Sequence, residues 1–200
     1  YSGGRGRSVL RKSPSAGRSA HAIGLLSWHC LLELSSSNAA EYLSSRWGYD
    51  PAALSVRPLG GGVSNTVLLV ETPGQRFVLK QALGKLQVEQ DWFSDRERIF
   101  RESAGIQALA PHLPNGSVPG VVFEDRQNRL FAMTAAPEGA QTWKSLLMNG
   151  AAVDAVARRI AATQAVMIRI SHENTALAEA FGDQTVFGQL RLDPYYRTTA

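Results

Sequence analysis

Two hundred residues with 44% hydrophobic side chains are enough chain to bury a core, and the formal net charge of +4 is unevenly placed along them. Arg5, Arg7, Arg11, Lys12 and Arg18 fall in the first 32 residues without an Asp or Glu, so the rest of the chain sums to −1. Cys30 is the only cysteine, which excludes an internal disulfide and a thiolate zinc cluster, and no apolar run reaches the roughly 18 to 20 residues that span a bilayer.

The opening segment, residues 1–35, is rich in Ser, Gly and Arg and reads as a basic, disordered extension, with an organelle transit segment as the alternative. Nucleic acid is not the expected partner, because the folded part carries almost no net charge; binding through the arm would show a steep salt dependence. The expected location is cytoplasmic, with no membrane partner. The chain begins with Tyr1, which suggests processing or a fragment.

From Asn38 a short helix is expected on Ala39, Ala40, Tyr42 and Leu43, ended by Gly48 and the Asp50-Pro51 step. Three extended runs follow, Leu54 to Leu59, Thr66 to Val70 and Phe77 to Leu79. The last two are joined by Thr72-Pro73-Gly74-Gln75, a turn sequence, so the three read as an antiparallel meander. Ser94-Asp95-Arg96-Glu97 has capping-box spacing and predicts a helix in which Ile99, Ile106 and Leu109 share one face. Glu102 falls on that same apolar face. Pro111 and Pro114 stop the helix.

A second hairpin is expected from Val121-Val122-Phe123, a polar tip at Asp125 to Asn128, and Leu130 to Met133. Small residues from Ala135 to Ala140 then read as a linker. Helices are predicted at Thr142 to Asn149, at Ala151 to Ile170 with an apolar stripe of Val153, Val156, Ile160, Met167 and Ile170, and at Glu173 to Phe181. The class is α+β: a β-β-β-α-β-β unit over residues 36–134, a hinge at 135–141, and a helical region over 142–200.

Gly60-Gly61-Gly62-Val63-Ser64-Asn65 lies between two strands, whereas a Walker loop would end in Gly-Lys-Ser/Thr and both it and a dinucleotide loop would open a helix. A plain turn and a glycine-rich lid over phosphates both remain open. Strand alternation puts Lys80 on the face of Val78, opposite Phe77 and Leu79. A strand lysine and a stripe-facing glutamate answer one another, since a carboxylate at a buried position needs a cation; as a buried pair they would cost about 3 to 5 kcal/mol to break. The linker after the fifth strand offers backbone groups, around Met133, Thr134, Ala135 and Ala136, that small side chains leave open to an adenine.

This order, Gly60 to Asn65 between strands, Val78-Leu79-Lys80-Gln81-Ala82-Leu83, and Arg101-Glu102 within a helix, resembles the amino-terminal lobe of the aminoglycoside phosphotransferase and choline kinase group. The runs FVLKQAL and DWFSDRERIFRE look most like methylthioribose kinase and its relatives. The resemblance implies a protein-kinase-like fold: a five-stranded antiparallel sheet with one inserted helix, followed by the first helices of a helical carboxy-terminal lobe. It also implies transfer of the γ-phosphoryl of ATP, with Mg2+, to a hydroxyl of a small molecule. Gly60, Gly61, Gly62, Ser64 and Asn65 would cover the phosphates, Lys80 would hold the α- and β-phosphates, Glu102 would orient Lys80, and Met133, Thr134 and Ala135 would receive the adenine.

The same resemblance demands a His-Gly-Asp sequence, a following Asn and acidic metal ligands, and none of these occurs in the 200 residues. His21, His29, His112 and His172 have the wrong neighbours and receive no catalytic role. Base and metal ligands are therefore expected beyond residue 200, in an enzyme of which this is an amino-terminal, inactive part. The alternative is a kinase-like module that binds nucleotide or protein without catalysis.

Overall fold

The computed structural model describes residues 31–60, 62–151 and 153–197, all within one compact unit, so most of the basic extension lies outside the described residues. Five antiparallel strands form one sheet: β1 (Ser55–Pro58), β2 (Asn65–Glu71), β3 (Arg76–Ala82), β4 (Val121–Asp125) and β5 (Leu130–Thr134), in the order β1-β2-β3-β5-β4. The meander and second hairpin are where the apolar runs put them. β3 runs on to Ala82 because Gln81 and Ala82 stay paired with Thr66 and Asn65 of β2. The β2–β3 turn closes through Thr72, whose hydroxyl oxygen accepts from the amides of Gly74 (3.3 Å) and Gln75 (3.0 Å).

Helix α1 (Ala39–Trp47) covers one face of the sheet. Its Ala39, Tyr42 and Leu43 are buried with Leu68, Val70, Phe77, Leu79, Leu130 and Ala132. Gly48 ends it in the left-handed conformation at φ 74°, where its amide reaches the carbonyls of Leu43 and Ser44. The chain before α1 is packed as well, which corrects the extension's expected end at residue 35. Leu34 is buried, its amide donates to Gln81 Oε1 at 2.7 Å, and Gln81 Nε2 donates to the carbonyls of Leu32 and Asn128. Gln81 thus serves as an extra rung on the sheet, stitching in a segment that composition alone assigns to a tail.

Helix α2 (Arg98–Leu109) covers the opposite face, with Ile99 and Phe100 against Ala82 and Phe131. The expected capping box is not formed. The helix begins at Arg98, Ser94 Oγ donates to Gln189 Oε1, and Glu97 pairs with Arg129. Residues 94–97 instead make a turn, held by Asp95 Oδ1 accepting from the Glu97 amide at 2.9 Å.

Beyond β5 the chain is helical: α3 (Trp143–Met148), α4 (Asp154–Glu173), α5 (Thr175–Phe181), α6 (Thr185–Phe187) and a π-helical stretch, Gly188–Arg197. Thr142 and Asn174 cap α3 and α5 by accepting from the amides of Ser145 and Leu177. Of the apolar stripe expected on α4, only Ile170 is buried; Ile160 and Met167 stay exposed. No described helix is long and apolar enough to cross a membrane.

A buried polar cluster joins α1 to the β4–β5 hairpin. Asp125, 3% exposed, accepts from Tyr42 Oη (2.9 Å), Asn128 Nδ2 (2.9 Å) and the Asn128 amide (3.2 Å). Burial by itself would raise the Asp125 pKa, but the hydrogen bonds from Asn128 and Tyr42 outweigh it and hold the carboxyl below its ordinary value; burial drives the Tyr42 hydroxyl the other way, upward. A carboxyl lowered on folding stabilises fully above its unfolded value of 3.8, and that contribution is lost as pH falls from there through the lower folded value. Urea titrations across this range should show a shallower acid limb for Asp125→Asn than for the unaltered chain. Tyr42→Phe should cost about 1 to 2 kcal/mol at neutral pH by removing one donor from a buried acceptor.

Candidate active site

The uncovered part of the α2 face carries two clefts. The first, about 750 Å³, lies between the start of β2, Lys80 on β3, α2, and the segment from Phe181 to Arg191. The second, about 600 Å³, lies under β1 and β2, floored by Val67, Leu69, Val78 and Met133 and edged by the linker from Thr134 to Ala140. Lys80 lines the first cleft; pairing sets it opposite Val67, which floors the second, and Phe131, and alternation gives its side chain the face of Val78.

Lys80 Nζ donates to both Glu102 oxygens, at 2.5 and 2.7 Å. The pair that the sequence suggests is therefore made, although not as a buried one: the side chains are 18% and 39% exposed. The edge of the helix faces the open cleft, so water reaches the carboxylate and the cost expected for a buried pair does not apply.

The loop before β2 is tied down at its far end. Leu83 donates its amide to the Ser64 carbonyl at 3.0 Å, and Gln87 to the Val63 carbonyl at 2.7 Å. Gly60 and Gly62 are exposed, and a Cβ on either would meet no atom within 4 Å, so internal packing does not demand glycine there; Gly61 lies outside the described residues. Ser64 and Asn65 line the first cleft, and Asn65 Oδ1 is buried without a hydrogen-bond partner.

Met133, Thr134 and Ala135 all line the second cleft, yet their amides are committed. Met133 lies in the β-ladder, Thr134 donates to Gly120 and Ala135 to Arg76. The next residue, Ala136, lines the same cleft and its amide donates to no other described residue, which leaves it as the open backbone donor of the four. His112 and His172 line neither cleft; His21 and His29 lie outside the described residues.

Three contributors escaped sequence reading. Arg98 is 7% exposed and donates to the carbonyls of Ser94, Asp95, Ser64 and Leu83; its pKa is lowered chiefly by burial. Arg101 pairs with Asp183 (3.3 Å) and donates to the carbonyls of Phe181 and Asp183, bringing that segment across the cleft. The segment itself is the third. The available signal was spacing, since Arg98 precedes Glu102 by one helical turn.

The family model of the phosphotransferase enzyme family, APH, matches residues 55–197. The chain belongs to that family. No curated protein matches it. The matched span runs from β1 to the end of the π-helical stretch, so both clefts of this phosphotransferase-family chain and its Lys80–Glu102 pair lie inside it. No group of three potential metal ligands occurs among the described residues; Glu102 pairs with Lys80, and Asp183 with Arg101 and Thr185. Thr185 chiefly, with Arg101, holds the Asp183 carboxyl below its ordinary value, which favours the ionised, already occupied form.

Because the pair is half-open, Glu102→Gln should cost about 1 kcal/mol or less in a urea titration. A loss of several kcal/mol would mean that the carboxylate is drier than its exposure implies.

Proposed function

We propose that the chain binds ATP, with the adenine in the second cleft against Val67, Val78 and Met133 and the phosphates running under the glycine loop to Lys80. The observation that carries this reading is the Lys80 ammonium held by both Glu102 oxygens in the first cleft, opposite Val67 of the second. An ammonium fixed in place stabilises a phosphate without reorganising, and phosphoryl transfer depends mostly on such positioning and charge neutralisation. Gly60, Gly61, Gly62, Ser64 and Asn65 would cover the phosphates, and Ala136 would offer the adenine a backbone donor beside Met133, Thr134 and Ala135. The reaction class is transfer of a γ-phosphoryl group to a hydroxyl of a small molecule in the cytoplasm.

Mg2+ would accompany the nucleotide, and no described residue is assigned to it. No His-Gly-Asp sequence occurs in the chain, and Glu102 and Asp183 are each engaged in an ion pair. These 200 residues are therefore expected to bind ATP without turning it over. That same occupancy supports the second reading, a nucleotide-binding module of kinase-like form.

Calorimetric titration with ATP should give measurable binding that Lys80→Met weakens about tenfold, a loss near 1.4 kcal/mol. Phosphate release from ATP above background, with a sugar hydroxyl acceptor supplied, would overturn the expectation of no turnover. Val67→Phe should weaken ATP while leaving inorganic triphosphate binding unchanged, because the ring fills only the adenine cleft; equal loss of both ligands would place the adenine elsewhere.

A further inference from the structure

Arg98 is a buried guanidinium whose hydrogen bonds all go to backbone carbonyls, and the carbonyls come from three separate segments. Nη1 donates to Asp95 (2.7 Å) and Ser94 (3.3 Å), in the turn that leads into α2. Nη2 donates to Ser64 (2.5 Å), where the glycine loop becomes β2, and to Leu83 (3.0 Å), just past the end of β3. One planar fork therefore ties the loop end and the β3 exit to the first turn of the helix that carries Glu102.

Stability alone is a weak reason for this arrangement. A buried charge whose hydrogen bonds all go to carbonyls, with the Asp95 and Glu102 carboxylates acting on it only through space, loses more solvation than an apolar side chain of similar volume would, and Ile99 and Phe100 already seat the helix on the sheet. What the fork adds is geometry. Arg98 sits one turn before Glu102, so it sets the axial position of Glu102 over Lys80; its second arm sets the height of Ser64, and with it Asn65, over the same cleft.

We propose that Arg98 is the positioning residue of the phosphate end of the site, locking the loop end and α2 into one unit so that the loop amides and the Lys80–Glu102 pair keep a single spacing. The proposal rests on the nucleotide reading given above. A lysine at this position keeps the charge and the aliphatic stem, but its single ammonium cannot serve both arms of the fork.

The test is calorimetric titration of ATP into the full chain carrying Arg98→Lys, Lys80→Met, both, or Asp125→Asn. The last lies in the cluster beneath α1 and controls for lost stability. Arg98→Lys should bind ATP about tenfold more weakly, with no comparable loss in Asp125→Asn when the two variants are compared by melting temperature. On the Lys80→Met background, Arg98→Lys should add less than about twofold, the signature of residues acting as one unit. In the unaltered chain, ATP should also slow hydrogen exchange at the Leu83 amide, a readout that stands even if the Arg98 variants do not fold. ATP affinity within about twofold of the unaltered chain in Arg98→Lys, a loss that merely follows melting temperature as in Asp125→Asn, or unchanged Leu83 exchange with ATP bound each overturns the proposal. If Lys80→Met weakens ATP binding and Arg98→Lys does not, the positioning role alone falls. If the folded, unaltered chain does not bind ATP, the nucleotide reading falls and the positioning role with it.

Discussion

The contact on which the candidate site depends is the seat of α2 on the sheet. Lys80 belongs to a strand and Glu102 to a helix, and the two meet at 2.5 and 2.7 Å only while the helix keeps its rotation and its height above β3. Rotation is set by Ile99 and Phe100, packed against Ala82 and Phe131. Height is set by Arg98, whose fork grips the loop end and the β3 exit. Apolar packing tolerates sliding, whereas hydrogen bonds to fixed carbonyls do not, so the two kinds of contact divide the work.

The two faces of the sheet are built for different ends. Under α1 the face is filled by Leu68, Val70, Phe77, Leu79, Leu130 and Ala132, and its buried carboxylate, Asp125, accepts from Tyr42 and Asn128 and pairs with Arg46. Beside α2 the face is filled only at one end; from Lys80 to Met133 it is left open as the two clefts. A closed face carries stability, and the open one can then bear a charged lysine and an unpartnered Asn65 oxygen.

The span that matches the phosphotransferase family, residues 55–197, contains that open face and both of its clefts. Each acid beside the first cleft already has a cation or donor. The charged groups of this cleft are thus fixed in place by contacts within the chain.

Much of the architecture is legible in the sequence because it is local. Period-two runs mark β2 and β3, Thr72 and Gly74 mark their turn, and Gly48 marks the end of α1. Of the site, Lys80 and Glu102 are legible because each breaks the pattern of its own element, a charge where alternation or helical period calls for packing. The rest depends on partners far away along the chain. Ser94 and Glu97 have the spacing of a capping box, but Gln189 and Arg129 claim them. Gln81 looks like an ordinary strand residue until Leu32 and Leu34 fold onto it, and the apolar stripe of α4 is buried only at Ile170. Arg98 is one of several arginines in a charged run, distinguished only by the four carbonyls that converge on it. Sequence alone determined the strands, their turns and the two charges that pair, because propensity and periodicity act between near neighbours. Tertiary structure decided how dry the pair is, which amide of the linker stays open and which arginine holds the site together, because these depend on where distant carbonyls and water come to lie.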